Sequence, residues 1–328
     1  MLQSKIYVKR LIFILMAVLS MAYIYLYIYS FYYPLPILSR ISVDAKLKFI
    51  RERVDIKKID TIIVGSSIGL NNIQGSILEK NSIKCKSVLN LSGFELRVGQ
   101  IEQLLELGSI FPNLKRVIYS AQFSDFSASQ TLPNYDVELL KRYISKKETP
   151  SDIVSIWSHS FSNIVSCIER QLDWKLKYQH SNNFSYLGFD YTGSVPLHIY
   201  GKDIIKFRWE TPHGDEQELS NDRVLERVVK KLENNSINFY FIHQPYREQL
   251  TKEFNYISKI LSSFDKRIRK IVEKHNGVFF SLHKRLKLQD KYFADRTHLN
   301  DKGSVVTARA IAKLIDSVEQ IKKEKKVE

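Results

Sequence analysis

Cysteine is scarce in this chain of 328 residues, which has only Cys85 and Cys167. No C-x-x-C pair occurs, so a zinc ribbon and a dithiol redox motif are both excluded. The two thiols are read either as one disulfide, in a domain outside the reducing cytosol, or as two unrelated buried side chains. Nucleotide-binding signatures are missing too. There is no G-x-G-x-x-G and no P-loop, so no glycine-rich cradle for phosphates is present. His159, His180, His198 and His213 lack metal-ligand spacing, and no metal or cofactor is expected. Acidic residues are outnumbered, with 35 Asp plus Glu against 50 Lys plus Arg, a net charge of +15. Such a balance serves nucleic acid, an anionic membrane surface or an anionic polymer, or it is a solvated compositional bias. The basic residues are spread rather than striped and no nucleic-acid module is recognisable, so nucleic acid is not an expected partner. Internal repeats are absent, and the only biased block is the terminal "KKEKKVE".

One stretch has no charge at all. Between Leu11 and Ser39 the sequence reads "LIFILMAVLSMAYIYLYIYSFYYPLPILS". Leu11 to about Tyr33 is long enough to cross a bilayer as a helix. Lys5, Lys9 and Arg10 precede it, which keeps the N-terminus in the cytoplasm and exports the remainder. Tyrosines crowd its outer half, where amphipathic rings favour the interface. A cleaved signal peptide is the competing reading, with an apolar core Leu11 to Leu19 and Ser20-Met21-Ala22 as the cleavage site. The apolar run continues well beyond that site, which favours an uncleaved single-pass anchor. Residues 1–39 are thus the cytoplasmic tip and anchor, and 40–58, polar and mixed in charge, a membrane-proximal linker. Residues 59–321 form the main domain and 322–328 a charged tail.

Within 59–321 the pattern alternates. "KIDTIIVGSS" (apolar from Ile59 to Val64), "CKSVLNLSG", "LKRVIYSAQ", "SINFYFIHQP" and "GVFFSL" are short apolar runs, rich in β-branched or aromatic residues, the first stopped by Gly65, the second ending at Gly93 and the fourth ended by Pro245. Helical periodicity occupies Arg97 to Phe111, Glu248 to His275 and Asp301 to Ile321. Strands alternating with helices imply β-α-β units and a parallel sheet covered on both faces. The expected fold class is therefore α/β, a doubly wound, flavodoxin-like parallel sheet of five strands behind an N-terminal transmembrane helix. Residues 124–220 break the rhythm and read as a large insertion of mixed structure after strand three.

In such sheets ligands sit at the carboxyl ends of the strands, and those ends carry the informative residues. Strand one ends in Gly65-Ser66-Ser67, strand two in Asn90-Leu91-Ser92-Gly93, and strand three in Ser120-Ala121-Gln122. Strand four ends in His243, a candidate substrate contact or a packing histidine. Asp295 and His298 follow strand five. A serine at a strand-to-helix turn exposes its hydroxyl and attacks a carbonyl when an imidazole takes its proton. Asp295 would hold the His298 tautomer. The N–H groups of Ser67 and Gly93 would stabilise an oxyanion.

This set resembles the SGNH/GDSL hydrolase superfamily. Gly65-Ser66-Ser67 matches its nucleophile turn, with Ser66 where Asp is usual. Gly93 matches its second block, and Asp295-x-x-His298 followed by Leu299-Asn300 its last. The Gly-Ser-Ser variant looks like the membrane-anchored branches, including proteins of cell-wall D-alanylation and exopolysaccharide O-acetylation. The family's third block, Gly-x-Asn, is missing, and Gln122 is the nearest side-chain amide for the vacant oxyanion role. The resemblance covers about 59–123 and 221–316 and implies a Ser67-His298-Asp295 triad without cofactor. It implies a membrane-bound, extracytoplasmic serine esterase or O-acyltransferase. The substrate would be an acylated cell-surface glycan or glycolipid, and a membrane acyltransferase a partner. The alternative is a non-catalytic assembly or binding factor for surface polysaccharide modification, in which the departure at the third block reports lost chemistry.

Overall fold

The structure is a computed structural model that describes residues 2–126, 135–177, 188–201, 219–248 and 255–324. Five strands build one parallel sheet: β1 (Thr61–Gly65), β2 (Val88–Asn90), β3 (Arg116–Ala121), β4 (Asn238–His243) and β5 (Val278–Ser281), in the order β2-β1-β3-β4-β5. The register pairs Gly65 with Ser120 and Ala121 with His243, so the carboxyl ends of these strands share one rim.

Successive strand residues point to opposite faces, and both faces are covered. Ile62, Val64, Val117, Tyr119, Phe239 and Phe241 face one core. Ile63, Ile118, Tyr240 and Ile242 face the other. Over the first face lie α5 (Val98–Leu105), α9 (Leu219–Asn234) and α10 (Asn255–Lys274). Over the second lie α4 (Gly75–Asn81) and α12 (Asp301–Glu324), with α3 (Ser67–Asn72) at the rim end and the single turn α11 (Leu282–Arg285) after β5. Because both faces are buried, every strand reads as a continuous apolar run instead of an alternating one.

The N-terminal helix α1 spans Leu2–Tyr32, and its Ile6–Tyr32 part is long and apolar enough to cross a membrane. The segment after it differs from the expected linker. Residues 41–53 form α2 (Ile41–Arg53), and every residue from Ser42 to Ile50 is buried. Its Val43, Leu47, Phe49 and Ile50 belong to the first-face core. A segment enclosed on all sides shows no one-sided stripe, so its polar residues imitate a linker. Beyond the local bond from Leu38 N to Asp44 (2.7 Å), their partners lie far away in sequence: Asp44 also accepts from Arg170, and Lys46 donates to the Gly193 carbonyl.

The described parts of the insertion are helical where long: α6 (Val137–Ile144), α7 (Pro150–Ser162) and α8 (Ile164–Lys177). Residues 188–201 instead run along the open edge of β2, where Thr192 O accepts the Asn90 N–H at 2.8 Å and blunts the edge. His180 and His213 lie outside the described residues, as does part of the helix expected from Glu248. Cys85 and Cys167 are both buried free thiols, so the disulfide alternative does not hold.

Candidate active site

The opening turn follows from one close approach. Gly65 ends β1 where a Cβ would lie 2.3 Å from the Ser120 carbonyl, so only glycine lets the two strands pair up to the rim. The chain then turns into α3. Ser66 is its N-cap, its Oγ accepting from Ile68 N, and Ser67 is the first helical residue. The Ser67 N–H belongs to the free donors of a helix N-terminus.

His298 meets Ser67 across the rim. His298 Nε2 lies 2.8 Å from Ser67 Oγ, and His298 Nδ1 lies 2.9 Å from Asp295 Oδ2. The second distance fits one tautomer: Nδ1–H donates to Asp295 Oδ2, which leaves Nε2 free to accept the serine proton. The Asp-x-x-His spacing has a local cause. Asp295 Oδ1 accepts from Thr297 N (2.8 Å) and His298 N (2.7 Å), closing an Asx-type turn. That turn brings the imidazole back over the carboxylate. Burial pushes the Asp295 carboxyl up, but the His298 ring and the turn N–H groups outweigh it and hold it below the ordinary carboxylate range.

The loop that carries the pair is braced from several elements. Phe293 and Leu299 form an antiparallel bridge. Asn72, at the end of α3, accepts from Leu299 N (2.8 Å) and donates to Thr297 O (3.2 Å), tying the nucleophile helix to the histidine loop. Asn300 accepts from Gly303 N at the start of α12 and donates to Lys291 O.

Two expected oxyanion donors are engaged elsewhere. Gly93 N–H donates to Gly65 O at 3.2 Å, extending the β1–β2 ladder. Gln122 is fully buried, and its Nε2 donates to Pro245 O (3.1 Å) and Thr297 O (3.2 Å). An amide nitrogen has two hydrogens, so this geometry makes Gln122 a brace for the histidine loop. Of the proposed donors, Ser67 N–H alone keeps a helix-terminal position. His243 is likewise removed from the substrate side. Its ring is enclosed by Tyr246, Phe264 and His283, and its Nδ1 lies 2.5 Å from Asp265 Oδ1.

Sequence reading overlooked Asp125, in the turn after β3. This carboxyl is buried, accepts from Gln122 N at 2.7 Å and is bonded by the Ser66 hydroxyl. Burial pushes it above the ordinary carboxylate range against those bonds. It supplies from β3 a carboxyl beside the turn that has Ser at 66. Its signal was Asp125 three residues after the strand-end Gln122, a spacing that reads as an ordinary turn.

No family model and no curated protein matches this sequence. Among solved structures the chain is similar to a lipase/acylhydrolase from Enterococcus faecalis, at 10% identity and TM-score 0.41 over 79% of this chain and 96% of that one. It is also similar to a catalytic mutant of an acetylxylan esterase from Geobacillus stearothermophilus, at 13% identity and TM-score 0.41, over 78% and 94%. An inhibitor-bound aryl esterase from M. smegmatis aligns at 10% identity and TM-score 0.36, over 79% and 99%.

Proposed function

We propose that this protein is a membrane-anchored serine hydrolase or O-acyltransferase of SGNH type, acting outside the cytoplasm on acyl groups of a cell-surface glycan or glycolipid. One observation carries the reading: the unbroken line from Ser67 Oγ to His298 to Asp295, at 2.8 and 2.9 Å, on the carboxyl rim of the sheet. In this reading Ser67 Oγ attacks the acyl carbonyl and His298 Nε2 takes its proton. The oxyanion forms against the Ser67 N–H. As the ester C–O bond breaks, His298 returns the proton to the departing alcohol. The acyl-Ser67 ester is then attacked by water or by a sugar hydroxyl with His298 as base, the acyl–Oγ bond breaks, and His298 returns the proton to Ser67 Oγ. Asp295 stays ionised and stabilises the imidazolium. The apolar helix before the domain, following Lys5, Lys9 and Arg10, supports the anchor and its orientation.

The second reading is a non-catalytic binding or assembly factor, and the engagement of Gly93 N–H and Gln122 Nε2 favours it, since both leave the oxyanion with fewer donors. Labelling of the purified full chain with a fluorophosphonate separates the two. Covalent label on the wild type and none on Ser67→Ala supports the enzyme. No label on the wild type, with retained binding of an acylated polymer, supports the binding factor.

A further inference from the structure

Helices α7 and α8 meet at the single residue Asn163, and the bent helical segment they form packs on the anchor. The start of α7 lies by the anchor's end, where Ile153 and Ile156 share a cavity of about 350 Å³ with Tyr33 and Leu35. Further along, Trp157 stacks on Tyr23 with ring centroids 6.1 Å apart, and Phe161 meets the same ring at 6.0 Å. Beyond the bend Cys167 of α8 is buried with Leu26 and Tyr29, and Gln171 accepts from the Tyr25 hydroxyl at 3.0 Å. Arg170 reaches Asp44 of α2. Helix α7 therefore runs beside α1 from Tyr33 to Tyr23, about 15 Å at a rise of 1.5 Å per residue, and α8 stays against the same stretch of the anchor.

Depth in a bilayer follows from the anchor. Lys9 and Arg10 mark one boundary, and a hydrocarbon layer of about 30 Å takes about 20 helical residues. Counted from Leu11, that layer ends near Ser30. Tyr23, Leu26 and Tyr29 then lie within the leaflet on the domain side, and whatever packs on them lies at the same depth.

The outer face of this segment is largely apolar; of its exposed polar side chains Ser155, Ser158 and His159, His159 has its Nε2 3.0 Å from Ser39 Oγ. Ile153, Val154, Val165, Ile168 and Leu172 are exposed large apolar side chains, at 44–65% of full exposure. From Ser151 to Leu172 the one exposed charged side chain is Glu169, next to the Arg170 that turns to Asp44. Asp152 is buried against Arg142. Ser160 and Ser162 satisfy their hydroxyls on the carbonyls of Ile156 and Ser158, one turn back, without needing water.

We infer that the bent α7–α8 segment is a second membrane element. It is buried in the domain-side leaflet beside the anchor, with Val154, Val165 and Ile168 against lipid acyl chains. The occupant is lipid and not a second protein, because this face continues the exposed apolar surface of the anchor itself, which includes Tyr27 and Phe31. Its helical backbone satisfies its own hydrogen bonds at that depth. Two helices held together fix the rotation and tilt of the domain, which a single helix and a flexible linker would leave free. The inference rests on the anchor reading.

The full chain, reconstituted in phosphatidylcholine–phosphatidylglycerol vesicles, is labelled with an environment-sensitive fluorophore at one of four substitutions: Leu15→Cys, Val154→Cys, Val165→Cys or Ile83→Cys. Unsubstituted chain reports any label on the buried native thiols. With spin-labelled lipid present, emission should be lost at Leu15, Val154 and Val165 and kept at Ile83, which is exposed beyond α4. Loss at Leu15 with emission kept at Val154 or Val165 overturns the α7–α8 inference and leaves the anchor standing. Emission kept at Leu15 as well overturns the anchor reading and the α7–α8 inference with it.

Discussion

His298 Nε2 and Ser67 Oγ lie 2.8 Å apart although 231 positions separate them in the chain. The approach is made by the parallel order of the sheet, which puts the end of β1 and the loop after β5 on one rim, and is tightened by Asn72. If the pair is a nucleophile and its base, Ser67→Ala and His298→Ala should each lower hydrolysis of a nitrophenyl acetate by on the order of 10⁴-fold or more, and the double variant should be no worse than either. Near-wild-type rates in Ser67→Ala would end the hydrolase reading.

Gln122→Ala separates a brace from an oxyanion donor. Loss of a donor costs roughly a hundredfold or more in kcat. Removing a brace instead leaves the Pro245 carbonyl without this buried donor, which costs about 1–3 kcal/mol of stability, while Thr297 O keeps Asn72 Nδ2. The expected outcome is a lower urea midpoint with a rate loss well below a hundredfold. A full hundredfold loss at unchanged stability would restore Gln122 to the oxyanion role.

Acid should weaken the site through Asp295. Its folded carboxyl is held below its ordinary value of 3.8, so its contribution is present above that pH and is lost as pH falls through the lower folded value. Urea midpoints of the wild type and Asp295→Asn should therefore converge below about pH 3.8 and separate above it. A constant gap from pH 3 to 7 would contradict the assignment.

Lys46 gives the opposite sign. Its ammonium is buried, lies 4.1 Å from the centroid of the Phe189 ring, and is pushed down by burial to about 7 from 10.5, against the pull of Asp190. A base held low contributes stability above its unfolded value, and that contribution is lost as pH falls towards 7. Lys46→Met should therefore gain on the wild type in urea midpoint as the pH is lowered from 10 to 7. Parallel midpoints across that range would show that the amine is not forced towards neutrality.

The strands were legible because a sheet buried on both faces makes continuous apolar runs, and β1, β3 and β4 lie where those runs lie. Asp295-x-x-His298 was legible because its spacing is closed by a local turn. Residues 40–58 were not: α2 shows charges, and only remote partners such as Arg170 and Gly193 make those charges compatible with burial. Gln122 and His243 were placed on the correct rim, but a strand-end position does not fix where a side chain spends its hydrogen bonds.

The sequence by itself determined the apolar helix, the order of strands and helices, and the turns that present Ser67 and join Asp295 to His298. All of these depend on neighbours within a few residues, through periodicity, sterics and short hydrogen-bonded rings. Only the tertiary structure decided which donors are spent, with Gly93 N–H on Gly65 and Gln122 on Pro245 and Thr297. It alone placed Asp125 beside Ser66 and laid helices α7 and α8 along the anchor. Those contacts join segments remote in the chain, and nothing in the local pattern of either partner specifies the other.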